Sequence, residues 1–402
     1  MLWIALSTIA LALCLGPSCA QARVRLSSPV THSDWILANS PPPAWGEAGV
    51  RRILDRAKEC GWTRVYWRCF DSGKSMYASR LLEPFDQGEP VNYWVDHGYS
   101  AIIDRMEGID YGSFDTLRAA VEYGHEIGLE VHAWLSINED DHGYGWPSRF
   151  TREHPECRWV RRDGTAYRSQ LSFAFPEVRE YKLALLKEIL TYEPDGIFFD
   201  WIRTGDVRDN PQTDRDGVAN YGYETPNVAA FRRLYGLDPH DVANGDDRWV
   251  DLRALPQTVF MRDAHRLIKR HKPNLPIAAM VQHPWSYRGG PDDTPYADSR
   301  RGLLCDVGEW AREGLIDEAV AAGYYRGDGT PEKAYRWLQG ETEGKVALWL
   351  YGWINSADSL RADTALAEQL GAVELLLWES NYIGLPPDKA DVVEAMRTYA
   401  GR

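Results

Sequence analysis

Short apolar runs and amphipathic stretches alternate along almost the whole chain, and this alternation restricts the fold more than any other feature. Eight runs have strand length and composition: residues 35–38, 64–70, 130–137, 196–202, 276–282, 318–325, 346–351 and 373–378. A helical pattern follows each, clearest over 113–127, 177–192, 257–271, 331–342 and 388–399. Strand–helix–strand alternation marks a parallel sheet with crossover helices. Eight such units predict the α/β class and a closed (β/α)8 TIM barrel rather than a doubly wound sheet. The chain has 402 residues, a length open to two or three domains, but α/β barrels routinely exceed 250 residues as one. The reading is one barrel domain over 23–402.

The first 22 residues carry no charge, and an apolar run from Leu2 to Leu15 is short for a membrane span. Ala20-Gln21-Ala22 then offers a small-x-small cleavage site. These features predict a secretory signal over 1–22 and a secreted or periplasmic protein, with lipid anchoring at Cys19 as the alternative. After cleavage Cys60, Cys69, Cys157 and Cys305 remain. They lack zinc-site spacing, and an oxidising compartment would permit disulfides whose pairing the sequence does not give. A net charge of −14 argues against nucleic acid and anionic membrane surfaces as partners.

Seventeen Trp and twenty-one Tyr suit a carbohydrate partner, because each pairs a flat apolar face with a polar tip. Two long segments, 72–112 and 206–226, follow predicted strands and so fall at the C-terminal face, where barrel active sites sit. Asp195-Gly196-Ile197-Phe198-Phe199-Asp200 reads as a buried strand delivering Asp200 to that face, with Arg203 close behind to hold the carboxylate ionised or grip a hydroxyl. Asp195 opens the same strand and reads as a turn residue at the opposite face. In Glu130-Val131-His132-Ala133-Trp134, His132 and Trp134 share one strand face. They are expected to line the pocket wall, with Asn138 and Glu139 at the rim. Glu139-Asp140-Asp141-His142 reads as solvated loop rather than a cation site. Trp67, Arg68, Gln282, His283, Tyr325 and Trp353 also fall at or near predicted strand ends and are expected to line sugar subsites. Tyr351 and Trp378 lie in the same strand-end aromatic sets.

Glycoside hydrolysis normally uses two carboxylates, one donating a proton and the other acting as nucleophile or activating water. Asp200 supplies one; Glu379 and Glu139 compete for the other. The chain holds no phosphate-binding loop, dinucleotide fingerprint, Gly-x-Ser-x-Gly elbow or His-Glu-x-x-His, so neither cofactor nor metal is expected. The rival from another class is a non-catalytic carbohydrate-binding barrel. A lyase or esterase would need a Tyr/His/Arg set or an activated nucleophile.

Several blocks, taken in order, resemble the glycosyl-hydrolase-10-like family of exported bacterial barrel proteins. They are Phe114-Asp115-Thr116-Leu117, Gly128 through Trp134, Pro176-Glu177-Val178-Arg179-Glu180-Tyr181, Asp195 through Asp200 with Arg203, and Trp310 with Glu313-Gly314-Leu315-Ile316-Asp317. The resemblance implies a barrel glycosidase in which Asp200 and Arg203 occupy family positions. Trp201 stands where the family usually carries a second Asp, and Ala322-Gly323-Tyr324-Tyr325 where it commonly carries Pro-Gln-x-Tyr. The expected protein is a monomer acting on a polysaccharide or peptidoglycan glycan.

Overall fold

The computed structural model describes residues 23–30, 45–71, 73–85, 109–138, 140, 148–200, 202, 217–285, 299–322, 329–352, 354, 356–378 and 389–401. Within them eight strands run parallel: β1 (Arg25–Val30), β2 (Arg64–Asp71), β4 (Glu130–Ser136), β7 (Gly196–Asp200), β8 (Ile277–Gln282), β9 (Glu318–Ala322), β10 (Ala347–Gly352) and β11 (Glu374–Leu377), with the two-residue β3 (Lys74–Ser75) antiparallel to the end of β2. Strand β1 pairs with β2 on one side and β11 on the other, so the sheet closes on itself. The protein is therefore a (β/α)8 TIM barrel, and the alternation in the sequence reports it correctly. One boundary differs at the start. The first barrel strand is Arg25–Val30, whereas the predicted 35–38 lies outside the described residues.

Alternation of side chains sorts each strand. Val65, Val131, Ile197, Ile277 and Leu375 face the surrounding helices, while Tyr66, Trp134, Phe198, Met280, Val320, Trp349 and Leu376 pack inside the barrel. Gly196 is required by that inner packing: a Cβ there would lie 2.1 Å from Nδ1 of His132 on the neighbouring strand. Local signals set the helix ends. Asp115 caps Thr116–Ile127 by accepting from Arg118 N at 3.2 Å, and Gly128 ends it in the left-handed conformation two residues before β4 begins. The helix predicted over 257–271 starts ten residues earlier, at Asp247, with Pro256 inside it. Asp246 caps it, and Trp249, Val250 and Arg253 bury its first turns.

The N-terminal end of the barrel interior is charged. Arg64 reaches Glu130 (2.8 Å), Glu318 (3.0 Å) and Glu374 (3.4 Å), and Arg25 also holds Glu374 (2.7 Å). Ser27 and Tyr66 hydroxyls donate to the same Glu374 carboxylate, which is wholly buried. Burial raises its pKa, and Arg64 and Arg25 oppose that shift. His132 sits in this region, its Nε2 3.3 Å from Glu130 and its ring edge-on to Tyr66.

A small lobe is added by the connections after β4, β7 and β8. The antiparallel strands β5 (Arg158–Val160) and β6 (Ala166–Leu171) pack Trp159 and Tyr167 against Ala219, Tyr221, Ala254 and Leu304. Buried Arg253 donates to the carbonyls of Ala219 (2.7 Å), Tyr221 (2.7 Å) and Asn244 (2.8 Å). Glu224 lies buried beside it, accepting from Ser172 Oγ (2.6 Å) and Asn227 Nδ2 (2.8 Å). The cysteines are also interior: Cys60, Cys69 and Cys157 keep buried thiols outside any disulfide, and Cys305 is buried too.

Two outcomes follow. Arg64→Met leaves Glu374 buried without its main counter-charge and is expected to cost about 3–5 kcal/mol in urea unfolding at pH 7; a loss below about 1 kcal/mol would mean the network carries little of the stability. Burial pushes Glu224 up to about 7 from an unfolded value of about 4.5. The native state therefore holds the proton through a window where the unfolded chain has released it, so this group's contribution falls as pH rises from about 4.5 to 7. The full effect is on the order of 3 kcal/mol. Glu224→Gln removes it, so the stability of the variant relative to wild type is expected to climb across that window. A constant difference would refute the assignment.

Candidate functional site

The mouth of the barrel lies at the C-terminal ends of its strands. Asp200 is the last residue of β7, wholly buried, and continues the inward row of Phe198. Its neighbour in register is Ser136 on β4, and its carbonyl accepts from Ile137 N at 3.0 Å. Trp134, one inward step below Ser136, donates its indole Nε1–H to Asp200 Oδ2 at 3.0 Å. On the next strand Arg68 continues the inward row of Arg64 and Tyr66. Its guanidinium lies 4.5 Å from the Trp134 ring centroid, donates to Ser136 Oγ at 2.7 Å and pairs with Asp71 at 3.1 Å. Trp378 meets Trp134 edge-on at 5.4 Å and Tyr351 at 5.6 Å. Arg68, Trp134, Ser136, Asp200, Tyr351 and Trp378 thus form one partly aromatic, partly charged layer across the mouth.

Two amides belong with it. Asn138, two residues past Ser136, is wholly buried, and among the described residues neither Oδ1 nor Nδ2 has a partner. Gln282, the last residue of β8, continues the inward row of Ala278 and Met280, and its buried Nε2 also has no partner among the described residues. A buried polar group left without a hydrogen bond costs about 1–3 kcal/mol, and such groups in native structures need a physical account. Both stand at strand ends that open on the mouth, where a polyhydroxyl ligand would satisfy them. The arrangement offers a carboxylate held in place, amide donors and an acceptor, and aromatic faces.

The structure corrects three sequence expectations. Trp67 points away from the interior, its Nε1 donating to Thr116 Oγ1 at 3.2 Å among the helices, so it lines no subsite. It follows inward-facing Tyr66, and the strand's period of two sends it to the other face. His132 does share the inward face with Trp134, but it lies four residues below Ser136, beside Glu130 and Tyr66. Burial pushes it down to about 4, so it is a neutral interior group at neutral pH. Asp140 is not solvated: it is wholly buried and paired with Lys182. Asp195 stands at the opposite end from the mouth, accepting from Val131 N at 2.8 Å and facing His125 at 3.0 Å. His283 follows β8, buried, with its ring 6.1 Å from that of Trp285. Glu139, Glu379, Arg203, Tyr325 and Trp353 lie outside the described residues. Ser136 was passed over in the sequence, although the spacing Trp134–Ser136 was the signal that places it at the mouth. Among the described residues no group of three or more His, Cys, Asp or Glu side chains could hold a metal ion.

A parallel barrel with a buried strand-end carboxylate held by a tryptophan has the architecture in which glycoside hydrolases place their acids. The chain belongs to the glycosyl hydrolase-like 10 family, whose profile matches residues 64–344. That membership makes it a carbohydrate-active hydrolase by class. No curated protein matches the chain. Among solved structures it is similar in fold to the catalytic domain of β-amylase from Paenibacillus polymyxa, at 12% identity and TM-score 0.57, over 93% of this chain and 97% of that one. It is likewise similar to β-galactosidase from the psychrophilic Marinomonas ef1, at 13% identity and TM-score 0.57, over 94% of this chain and 59% of that one. Among the described residues no helix is long and apolar enough to cross a membrane.

The Trp134 bond gives a direct check on Asp200. Trp134→Phe removes the donor that holds Asp200 Oδ2 in place and is expected to lower kcat about tenfold on whichever glycan the wild type cleaves; wild-type kcat in the folded variant would show that the indole does not position Asp200 for the reaction.

Proposed function

We propose that the protein is an exported glycoside hydrolase, cleaved after Ala22, acting as a secreted or periplasmic monomer on a polysaccharide or peptidoglycan glycan. Asp200 is the nucleophile or the base that activates water. Glu379 is the acid, with Glu139 as the other candidate. One observation carries this reading: Asp200 is buried at the barrel mouth, aimed by the Trp134 indole, within the layer that holds Arg68, Tyr351 and Trp378. Glycosidic cleavage needs a carboxylate held in fixed register against the sugar, and a strand end braced by an indole provides that.

Family membership supports the reaction class, and the sequence positions of the acids support their roles. Glu379 is the residue after Trp378, and Glu139 stands between Asn138 and Asp140. Arg203, Tyr325 and Trp353 complete the proposed sugar contacts, together with Asn138, Gln282 and His283. Protonation of the leaving oxygen from an acid in tryptophan-rich surroundings is favoured because apolar burial raises a carboxyl pKa.

The test is reducing-end release from a panel of polysaccharides and denuded peptidoglycan. Wild type is expected to release sugar from at least one, and Asp200→Asn, with unchanged circular dichroism, to lose roughly 10³-fold or more in kcat. Folded Asp200→Asn with wild-type turnover would remove Asp200 from the mechanism. Binding of glycan by both proteins with release by neither would make this a carbohydrate-binding barrel instead.

A further inference from the structure

A pair of opposite charges is buried outside the barrel interior and outside the site. Lys182, on the helix Pro176–Leu190, donates through Nζ to Asp140 Oδ2, and both residues are wholly buried. Burying two ions is costly, and replacing such a pair with apolar side chains of similar volume is often neutral or stabilising. Stability alone is therefore a weak account of its presence.

Its surroundings give a better one. The Asp140 carbonyl accepts from Ser148 N at 2.9 Å, and Ser148 Oγ caps the next helical turn by accepting from Thr151 N at 3.0 Å. Tyr181 brings its hydroxyl within 3.5 Å of Asp140 Oδ1 while its ring stacks on Phe150 at 4.3 Å. Gly73, just past β2, packs so closely that a Cβ would lie 2.3 Å from Ser148 Cβ and 2.9 Å from Asp140 Oδ1. Asp140 is thus gripped from three chain segments. It stands two residues beyond Asn138, whose side chain has no partner among the described residues, and three beyond Ile137, whose N–H donates to the Asp200 carbonyl.

We infer that Asp140 and Lys182 are positioning residues: their buried ion pair fixes the exit of β4, and through it Asn138 and the Ile137–Asp200 bond, in the geometry that the site needs. The inference rests on the glycosidase reading for its consequence in rate, but its structural part stands without it. Small displacements at a reacting centre are costly in rate, whereas a loosened loop that still contacts sugar binds nearly as well. The pair contributes to kcat without touching substrate.

The experiment uses the full mature chain and the double variant Asp140→Leu/Lys182→Met, which removes both charges and keeps apolar volume. Its Tm is expected to equal or exceed that of wild type. Hydrogen exchange is expected to quicken at the Ile137 and Asn138 amides while those of β8, β9 and β10 stay protected. On whichever glycan the wild type cleaves, kcat is expected to fall at least tenfold with KM changing less than threefold. Asp140→Asn keeps the side-chain volume and removes the negative charge; it is expected to show the same pattern more weakly and serves if the double variant does not fold. Wild-type exchange at 137–138, exchange raised evenly across the barrel, or a rise in KM with kcat intact would each overturn the inference. If the wild type cleaves no glycan, the glycosidase reading fails while the exchange result still decides the positioning role.

Discussion

Closure of the sheet is the constraint on which the rest of the molecule depends. Once β1 has paired with both β2 and β11, the eight-stranded parallel sheet has no open edge, and every second side chain of its strands must be housed in one tube. The residues there are large: Tyr66, Phe198, Trp349 and Trp134 tilt against one another at centroid spacings of 4.7–6.4 Å. They fit because other inward positions are small. Gly196 gives its volume to the His132 ring, and Ala278 and Ala322 line the neighbouring strands.

The two ends of that tube hold different polar groups. At the N-terminal end buried charges are paired, with Arg64 and Arg25 against three glutamates and Trp349 Nε1 donating to Glu318 at 2.7 Å, though His132 Nδ1 there has no partner among the described residues. At the C-terminal end Arg68 and Asp200 are held by neighbours, while Asn138 and Gln282 keep buried polar atoms with no partner among the described residues. Satisfied networks stiffen a core; unsatisfied groups raise the free energy of the empty protein and lower that of a complex that answers them.

Much of this was legible in the sequence, and what was not has particular causes. The strand count and the strand-end position of Asp200 follow from periodicity and from the apolar run Ile197–Phe199, which no packing detail overrides. Trp67 and His132 were misread because strand-end position was taken without phase or depth. The inward row in β2 is Arg64, Tyr66 and Arg68, so Trp67 falls outside, and His132 lies near the wrong end of β4. Asp140 looked solvated because it stands in an acidic run, and its partner Lys182 is forty-two residues away on another element. The lobe of β5 and β6 escaped because its partners Tyr221, Ala254 and Leu304 come from connections far apart in the chain. Long-range pairing of this kind leaves no local pattern to read.

The buried thiols have a consequence for how such a chain travels. Burial pushes Cys60 and Cys157 up to about 11 and Cys69 well above the usual thiol range, and only the thiolate attacks a disulfide. In the folded state these three thiols are therefore slow to enter thiol–disulfide exchange. The unfolded chain has no such protection, since its thiols regain ordinary acidity and full access. Protection of these three thiols is thus acquired with burial, and oxidation at them requires the chain to open first.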